Sequence, residues 1–255
     1  MPSAAAEGGA IGPRTLRTRH TTWRPGHRLI PSRFPPVGLF DSVADPKDLE
    51  AVYALESMTN DRVREETGDL HLLAPAERIA GPGTTPIMAA FTHLNPEGSR
   101  YSDGSYGVYY CAQRLDTALA EVRFHQERFL RRTNEGPIRL QLRLYLSDLD
   151  ARLVDVRKHA EVHDPADYGP GQRLGRTLRA ERKDGILYRS VRHEGGLCAA
   201  VFRPAALSSC QQSAHYAFHF DGSAIVAIDE LSSVWTLPGG DLVSGTAHQR
   251  ALPNG

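Results

Sequence analysis

The clearest alternation of apolar and polar positions along the chain runs from residue 138 to residue 146. It reads Ile-Arg-Leu-Gln-Leu-Arg-Leu-Tyr-Leu, with an apolar residue at every second position. Because successive side chains of a strand point to opposite faces of a sheet, this pattern predicts a strand with one solvent-exposed face. A short apolar run at residues 153–156 predicts a second strand directly after it.

Other short apolar runs, bounded by glycine, proline or charged residues, predict further strands. They lie at residues 87–94, 108–112, 186–191, 197–202, 215–220 and 224–228. The last two are predicted to pair as a hairpin over Asp221 and Gly222. Consecutive strands joined by short turns favour an α+β fold, with mainly antiparallel sheets flanked by helices, over a doubly wound fold.

Three segments have the apolar spacing of helices: residues 45–55, a helix that starts near Asp116, and a basic segment at 172–182. Glu121 lies about 105° from the middle of the apolar stripe on the second helix. We expect its carboxylate to reach a cleft beside the sheet. The preceding loop carries Arg100 and is broken by Gly104 and Gly107, so loop, strand and helix together bring an arginine, a tyrosine and a glutamate close to one another.

The chain has 255 residues, with 30 basic and 30 acidic side chains. A formal charge of zero excludes the overall positive field of many nucleic-acid-binding proteins. We expect one domain, at residues 28–236, between a basic and mobile tail at 1–27 and a C-terminal extension at 237–255. The tail is either simply solvated or contacts an acidic partner.

Three cysteines are present, at positions 111, 198 and 210. Their spacing fits neither a zinc site nor a disulfide framework, and Cys111 and Cys198 lie in apolar runs, as small core residues do. His159 and His163 have helical ligand spacing, but Pro165 and Gly169 make the segment a loop, so we predict no metal site there. We found neither an apolar run of about 18 residues nor a secretory signal, and we expect a cytoplasmic protein.

The phosphate-binding loops of Rossmann and Walker type, the His-Glu-x-x-His zinc motif and the Gly-x-Ser-x-Gly elbow are all absent from the sequence. Five other motifs occur in order instead. They are Ser-Arg33-Phe-Pro-Pro, Gly-Ser-Arg100-Tyr101, Tyr110, Ala-Leu-Ala-Glu121 and Gly-Ile-Leu-Tyr-Arg-Ser190-Val-Arg-His. In this order the chain resembles the RES-domain family, named for arginine, glutamate and serine, over roughly residues 29–228. Many members have Gly-Arg-Trp where this chain has Ser99, Arg100 and Tyr101.

The resemblance implies a fold like that of ADP-ribosyltransferases and NAD as the substrate. It places Glu121, Arg100 and Tyr110 in the catalytic cleft and Arg33, Tyr101 and Ser190 among the residues that bind NAD, with no metal. It further implies the toxin of a toxin–antitoxin pair, which destroys NAD by hydrolysis or phosphorolysis or transfers ADP-ribose to a protein. The implied partner is an Xre-type helix-turn-helix antitoxin, with a toxin homodimer inside the complex and nucleic acid bound only through the antitoxin.

The residue types agree with that chemistry. Cleavage of the nicotinamide–ribose bond develops positive charge on the ribose, which a carboxylate such as Glu121 stabilises. An arginine offers forked donors to a pyrophosphate, and a tyrosine ring offers a stacking surface. Ser190 is suited to binding a phosphate or the carboxamide.

Each assignment has a structural alternative. Arg100 and Glu121 would otherwise form a surface ion pair, and Ser190 would be a solvent-facing strand residue. Tyr109 and Tyr110 are adjacent, so we expect one in the core and the other in the cleft, with Tyr110 favoured for the cleft. The competing functional hypothesis is a non-catalytic module that binds nucleotides, or nucleic acid through its basic N-terminal arm.

Overall fold

The computed structural model describes residues 16–32 and 68–232. Within these ranges the strands are β1 (Thr18–Pro31), β2 (Tyr109–Ala112), β3 (Ile138–Asp155), β4 (Gly185–Arg189), β5 (Leu197–Val201), β6 (Leu207–Phe220) and β7 (Ile225–Leu231). The helices are α1 (Thr85–Thr92), α2 (Leu115–Arg132) and α3 (Gly169–Ala180). None of these helices combines the length and the apolar character that crossing a membrane requires. The predicted helix at 45–55 lies outside the described residues.

The strands form one sheet in the order β1-β2-β5-β4-β3-β6-β7, and β1 pairs with β3 as well. His27 of β1 lies opposite Ala112 of β2 on one side and opposite Leu146 of β3 on the other. Five strands therefore close into a ring, and the β6–β7 hairpin extends it. The β3–β4 pair is parallel and the other pairs are antiparallel. The predicted α+β class with mainly antiparallel strands is confirmed.

Two apolar layers cover the two faces of the sheet. The helices α2 and α3 contribute Ala118, Leu130, Leu174 and Leu178 to one layer. Helix α1 contributes Ile87, Met88 and Phe91 to the other. The first layer, under α2 and α3, is the one that carries the candidate site.

Residues 87–94 are not a strand, as their apolar pattern predicted, but belong mostly to α1. Ile87, Met88, Ala90 and Phe91 are all buried there. When a short apolar segment is buried on more than one side, the spacing of its apolar residues does not distinguish a helix from a strand. Pro86 lies in the first turn, where a proline suits a helix because no intrahelical partner for its nitrogen is needed.

Strand β3 is longer and more buried than its alternation predicted. It includes the separate strand expected at residues 153–156, and its two faces pack against different layers. Leu142 and Leu144 face one layer, whereas Tyr145 packs in the other and Arg143 is 6% exposed. The predicted solvent-exposed face is wrong for this part of the strand, because the layer that contains α1 covers it.

The expectation that the folded domain begins at residues 27–29, after a mobile tail, is also wrong. Strand β1 begins at Thr18, and its pairing with β3 runs from Thr18 opposite Val154 to Pro31 opposite Leu142. Trp23 and Leu29, each 6% exposed, anchor this strand in the two layers. Residues 18–27 are therefore part of the folded domain, and the basic residues among them occupy outward positions of a strand.

Candidate functional site

A cavity of about 730 Å³ lies between α2 and the sheet, beside the meeting point of β1 and β2. Its walls are residues 27–29, residues 95–100, residues 110–112 and one face of α2, together with Tyr168, Tyr188 and Cys198. Small-molecule sites in proteins commonly have volumes in this range. The cavity brings together segments that are far apart in the chain, among them the loop, the strand and the helix that carry Arg100, Tyr110 and Glu121.

Arg100 lies in the cavity wall with 7% of its surface exposed. Its Nη1 donates to the carbonyl oxygens of Val162 and Asp164 at 3.2 and 2.8 Å, and its guanidinium carbon lies 4.6 Å from the centre of the Tyr168 ring. No carboxylate of residues 16–32 or 68–232 forms an ion pair with it. The alternative of a surface ion pair between Arg100 and Glu121 is therefore wrong. A buried cation held only by dipoles and a ring face favours an anionic ligand.

Two glycines of α3 allow this helix to pack closely against the backbone of residues 100 and 101. A β-carbon at Gly171 would collide with the carbonyl oxygen of Arg100, and one at Gly175 with that of Tyr101. The absence of side chains lets the helix lie directly against this backbone, although each interior glycine costs a helix about 1 kcal/mol relative to alanine. Between them, Gln172 donates through Nε2 to the carbonyl oxygen of Ser99 at 3.1 Å.

Tyr110 is half-buried beside Arg100, and its hydroxyl is already engaged. The hydroxyl oxygen lies 2.7 Å from Ser99 Oγ and accepts the backbone N–H of Tyr101 at 3.0 Å. Burial raises the pKa of Tyr110 to about 12, so the phenol is neutral. The neighbouring Tyr109 points the other way into the core, where its hydroxyl lies 2.9 Å from Ser147 Oγ. The expected division of the two tyrosines between core and cleft is confirmed.

Glu121 lies in the wall of the cavity two turns into α2 and is held by Ser190. The Ser190 hydroxyl donates to Glu121 Oε1 at 2.6 Å. The same hydroxyl oxygen accepts the backbone N–H groups of Arg192 and His193 at 3.1 and 2.9 Å. Because both lone pairs of the oxygen are used, its single proton points to the carboxylate. Ser190 follows the end of β4 and is half-buried, which contradicts the alternative of a solvent-facing strand residue.

A second contact joins α2 to the loop of Ser190. The fully buried Thr117 has its hydroxyl 2.9 Å from Nδ1 of His193. Thr117 precedes Glu121 by four residues, so both point from the same side of the helix. The loop is thus attached to α2 at two successive turns, and this fixes the carboxylate of Glu121 relative to the sheet.

Two cysteines also belong to the cavity wall, and the side chain of Cys111 packs into the layer that contains α1. Cys111 and Cys198 are free and are 4% and 2% exposed. Burial raises the pKa of Cys111 to about 12 and that of Cys198 well above its usual range. Both thiols are therefore protonated at neutral pH, and their predicted role as small core residues is confirmed.

The sequence model of the RES domain matches residues 75–221. The chain belongs to the RES-domain family. An uncharacterized protein of Sinorhizobium fredii, y4oC, is 35% identical over 201 residues, which are 78% of this chain and 84% of that protein. A solved structure, the MbcT–MbcA toxin–antitoxin complex of M. tuberculosis, aligns over 80% of this chain and 87% of its own with a TM-score of 0.43 and 12% identity.

The RES-domain residues Arg100, Tyr110, Glu121 and Ser190 all lie within the matched region, and the fold brings them to one place. Tyr101 is different. It is 0% exposed and packs edge-on against Tyr188 with ring centres 5.0 Å apart, and it does not belong to the cavity wall.

Tyr101 therefore contributes to the core next to the cavity, and its position gives no support to a contact with NAD. Tyr101 was predicted to bind NAD because of its place in the motif, but adjacency to an arginine in the sequence does not decide which way a ring points. Arg33 lies outside the described residues.

Sequence reasoning missed several residues of the cavity wall, among them two from β1 and two from α2. His27 and Arg28 come from β1, outside the matched RES-domain region, and were assigned to the tail or its boundary. Arg128 and Phe129 follow Glu121 by seven and eight residues on α2, and this helical spacing was a signal that could have found them. Nδ1 of His27 is buried and has no hydrogen-bond partner within residues 16–32 and 68–232, and burial lowers the pKa of this imidazole.

Proposed function

We propose that this RES-domain protein binds NAD in the cavity and breaks the bond between nicotinamide and ribose. The observation that carries the proposal is the carboxylate of Glu121, held by Ser190 in the wall of a cavity that also contains Arg100 and Tyr110. In this reaction the electron pair of the C–N bond leaves with nicotinamide, which becomes neutral. The positive charge moves to the ribose, where C1′ and the ring oxygen share it.

Glu121 stabilises this charge on the ribose. A carboxylate placed in advance, in a site partly shielded from water, stabilises an oxocarbenium-like transition state more than the neutral-sugar ground state. The hydrogen bond from Ser190 orients one carboxylate oxygen and leaves the other for the ribose. In this proposal Ser190 acts as a positioning residue, instead of binding the phosphate or carboxamide for which its residue type is also suited.

Arg100 and Tyr110 bind the substrate in this proposal. Nη1 of Arg100 is committed to two carbonyl oxygens, so the remaining N–H groups of the guanidinium face an anionic oxygen of the substrate. The hydroxyl of Tyr110 is committed to Ser99 and Tyr101, so Tyr110 contributes its ring as a flat surface for nicotinamide.

The direct test follows nicotinamide release from NAD by the purified protein. Glu121→Gln keeps the size of the side chain and removes its charge, and we expect a loss of at least about 100-fold in kcat. Arg100→Ala is expected to lose activity as well. Glu135→Gln, at an exposed position just after α2, is the matched control and should retain full activity. The proposal fails if the folded wild type leaves NAD intact, or if both cavity variants remain fully active.

The acceptor of ADP-ribose distinguishes three reactions that share this bond cleavage. Attack by water followed by loss of a proton gives ADP-ribose, attack by phosphate gives a phosphorylated ADP-ribose, and attack by a side chain modifies a protein. We favour NAD degradation by water or phosphate over protein ADP-ribosylation, on the resemblance of the motifs. Assays with and without phosphate, and with labelled NAD in cell lysate, separate the three.

In the same proposal the protein is the cytoplasmic toxin of a toxin–antitoxin pair, forms a homodimer, and is inhibited by an Xre-type antitoxin that covers the cavity. The support is its membership of the RES-domain family together with the order of the five motifs. Expression of the chain should lower cellular NAD and stop growth, and co-expression of a helix-turn-helix protein encoded by the neighbouring gene should restore both. Growth arrest with normal NAD would contradict the proposal.

A further inference from the structure

The cavity continues along α2 beyond Glu121. Glu121, His125 and Arg128 follow one another at helical spacing along one ridge of the helix, and Val122 and Phe129 form the adjacent ridge. From Glu121 to Phe129 the helix rises about 12 Å, at 1.5 Å per residue. A ligand that contacts Glu121 with one end therefore has room for a long second part beside the following turns.

Phe129 is 53% exposed, although it is large and apolar. Two other large apolar residues of the described ranges are comparably exposed, Ile138 at 42% and Val226 at 64%. Of these three, Phe129 lies in the cavity wall, so its ring is available to a ligand from inside the cavity. An aromatic ring in this position offers a flat face on which a heterocyclic base stacks.

Arg128, next to Phe129, supplies a positive charge with no ion-pair partner among the described residues. Arg132 lies in the same wall one turn later, but Glu97 accepts hydrogen bonds from both of its terminal nitrogens at 2.7 and 2.6 Å. Glu97 is therefore paired with Arg132, whereas Arg128 feels the charge of Glu97 only at longer range and keeps its hydrogen-bond donors for a ligand. A ring and a free guanidinium side by side match a base that is attached to phosphate groups.

We infer that this end of the cavity is a subsite for the adenosine diphosphate half of the substrate. Phe129 stacks on the purine, and Arg128 contacts the diphosphate. The inference rests on the proposed function, because it takes Glu121 as the position of the nicotinamide ribose. It makes Phe129 and Arg128 the residues that select a dinucleotide over a mononucleotide.

The kinetic test compares NAD with nicotinamide mononucleotide, which has the nicotinamide ribose but no adenosine. For Phe129→Ala we expect KM for NAD to rise at least about fivefold with little change in kcat, because stacking of a base is lost. kcat/KM for the mononucleotide should stay unchanged, and Phe129→Trp should restore KM for NAD. Val226→Ala removes a comparably exposed apolar side chain that does not belong to the cavity wall, and it serves as the control. An unchanged KM for NAD, or equal losses for both substrates, would overturn the assignment of Phe129.

The binding test uses ADP, which lacks the nicotinamide ribose, and isothermal titration calorimetry. Phe129→Ala and Arg128→Ala should each weaken ADP binding, whereas Glu121→Gln and the α2 control Arg123→Ala should not. If Phe129→Ala and Arg128→Ala weaken ADP binding but the wild type releases no nicotinamide from NAD, the proposed reaction fails and the subsite stands. If the wild type cleaves NAD while both variants bind ADP normally, the reaction stands and the subsite is wrong.

Discussion

The hydroxyl of Ser190 donates a 2.6 Å hydrogen bond to the carboxylate of Glu121 while it accepts two backbone N–H groups from its own loop. A turn at the end of β4 thereby determines the orientation of a side chain on α2. The serine and the glutamate of the RES-domain motifs act as one unit in this arrangement.

The first prediction concerns Ser190→Ala. We expect a fall of roughly 100-fold in kcat with little change in KM, because a small displacement of a reacting group is costly even when the substrate still binds. Ser190→Thr retains the hydroxyl and should keep more of the activity. Steady-state kinetics of nicotinamide release check this, with thermal unfolding as the control for folding. A rise in KM at constant kcat would instead indicate that Ser190 contacts the substrate directly.

Gly175→Ala tests whether α3 holds the segment of Arg100 in place. The added methyl group would collide with the carbonyl oxygen of Tyr101, so we expect a loss of about 1–3 kcal/mol in the free energy of unfolding, together with lower activity. Gly136→Ala is the matched control, because a β-carbon there meets no atom within 4 Å, and its effect should stay within about 0.5 kcal/mol. Urea denaturation measures both. Equal stability of the two variants would contradict the close packing of α3.

Trp23→Ala tests whether β1 belongs to the folded domain. Trp23 is 6% exposed, so its truncation should cost about 3–5 kcal/mol of unfolding free energy. Thr22 points outward from the neighbouring position, and Thr22→Ala should cost less than about 1 kcal/mol. If Trp23→Ala were as stable as the wild type, residues 18–27 would behave as the mobile tail that the sequence suggested.

His163 predicts a dependence of stability on pH. Its Nδ1 lies 2.7 Å from the carbonyl oxygen of His159, and its Nε2 accepts the backbone N–H of Arg189 at 3.1 Å, so the folded protein holds a neutral imidazole. Burial, with the nearby positive charges of Arg189 and Arg100, lowers the pKa of His163 below 6.5. The unfolded chain therefore binds a proton first as the pH falls. Stability is fully present above about pH 6.5 and declines below it.

Unfolding free energies between pH 5 and 8 check this prediction. His163→Gln should give a flatter profile in this range than the wild type. The profile should not become entirely flat, because burial also lowers the pKa of His27. Identical profiles for the variant and the wild type would show that His163 does not control the pH dependence.

The sequence by itself determined those helices and turns that depend only on residues close together in the chain. Helix α2 has an amphipathic stripe, α3 has a basic outer face, and the β6–β7 hairpin has a turn dipeptide, and all three were predicted close to their observed positions. The order of the motifs likewise identified the family and brought Arg100, Tyr110 and Glu121 forward as candidates.

Only the tertiary structure decided the features that depend on contacts between segments far apart in the chain. Strand β1 is held by its pairing with β3, far along the chain, and its own sequence reads as a basic tail. The helix α1 and the buried face of β3 follow from a second apolar layer that no local pattern reveals. Tyr101 lies in the core for the same reason. The proton of Ser190 points to Glu121 because its other hydrogen-bonding positions are already occupied, and a hydroxyl takes its role from the groups that folding places around it.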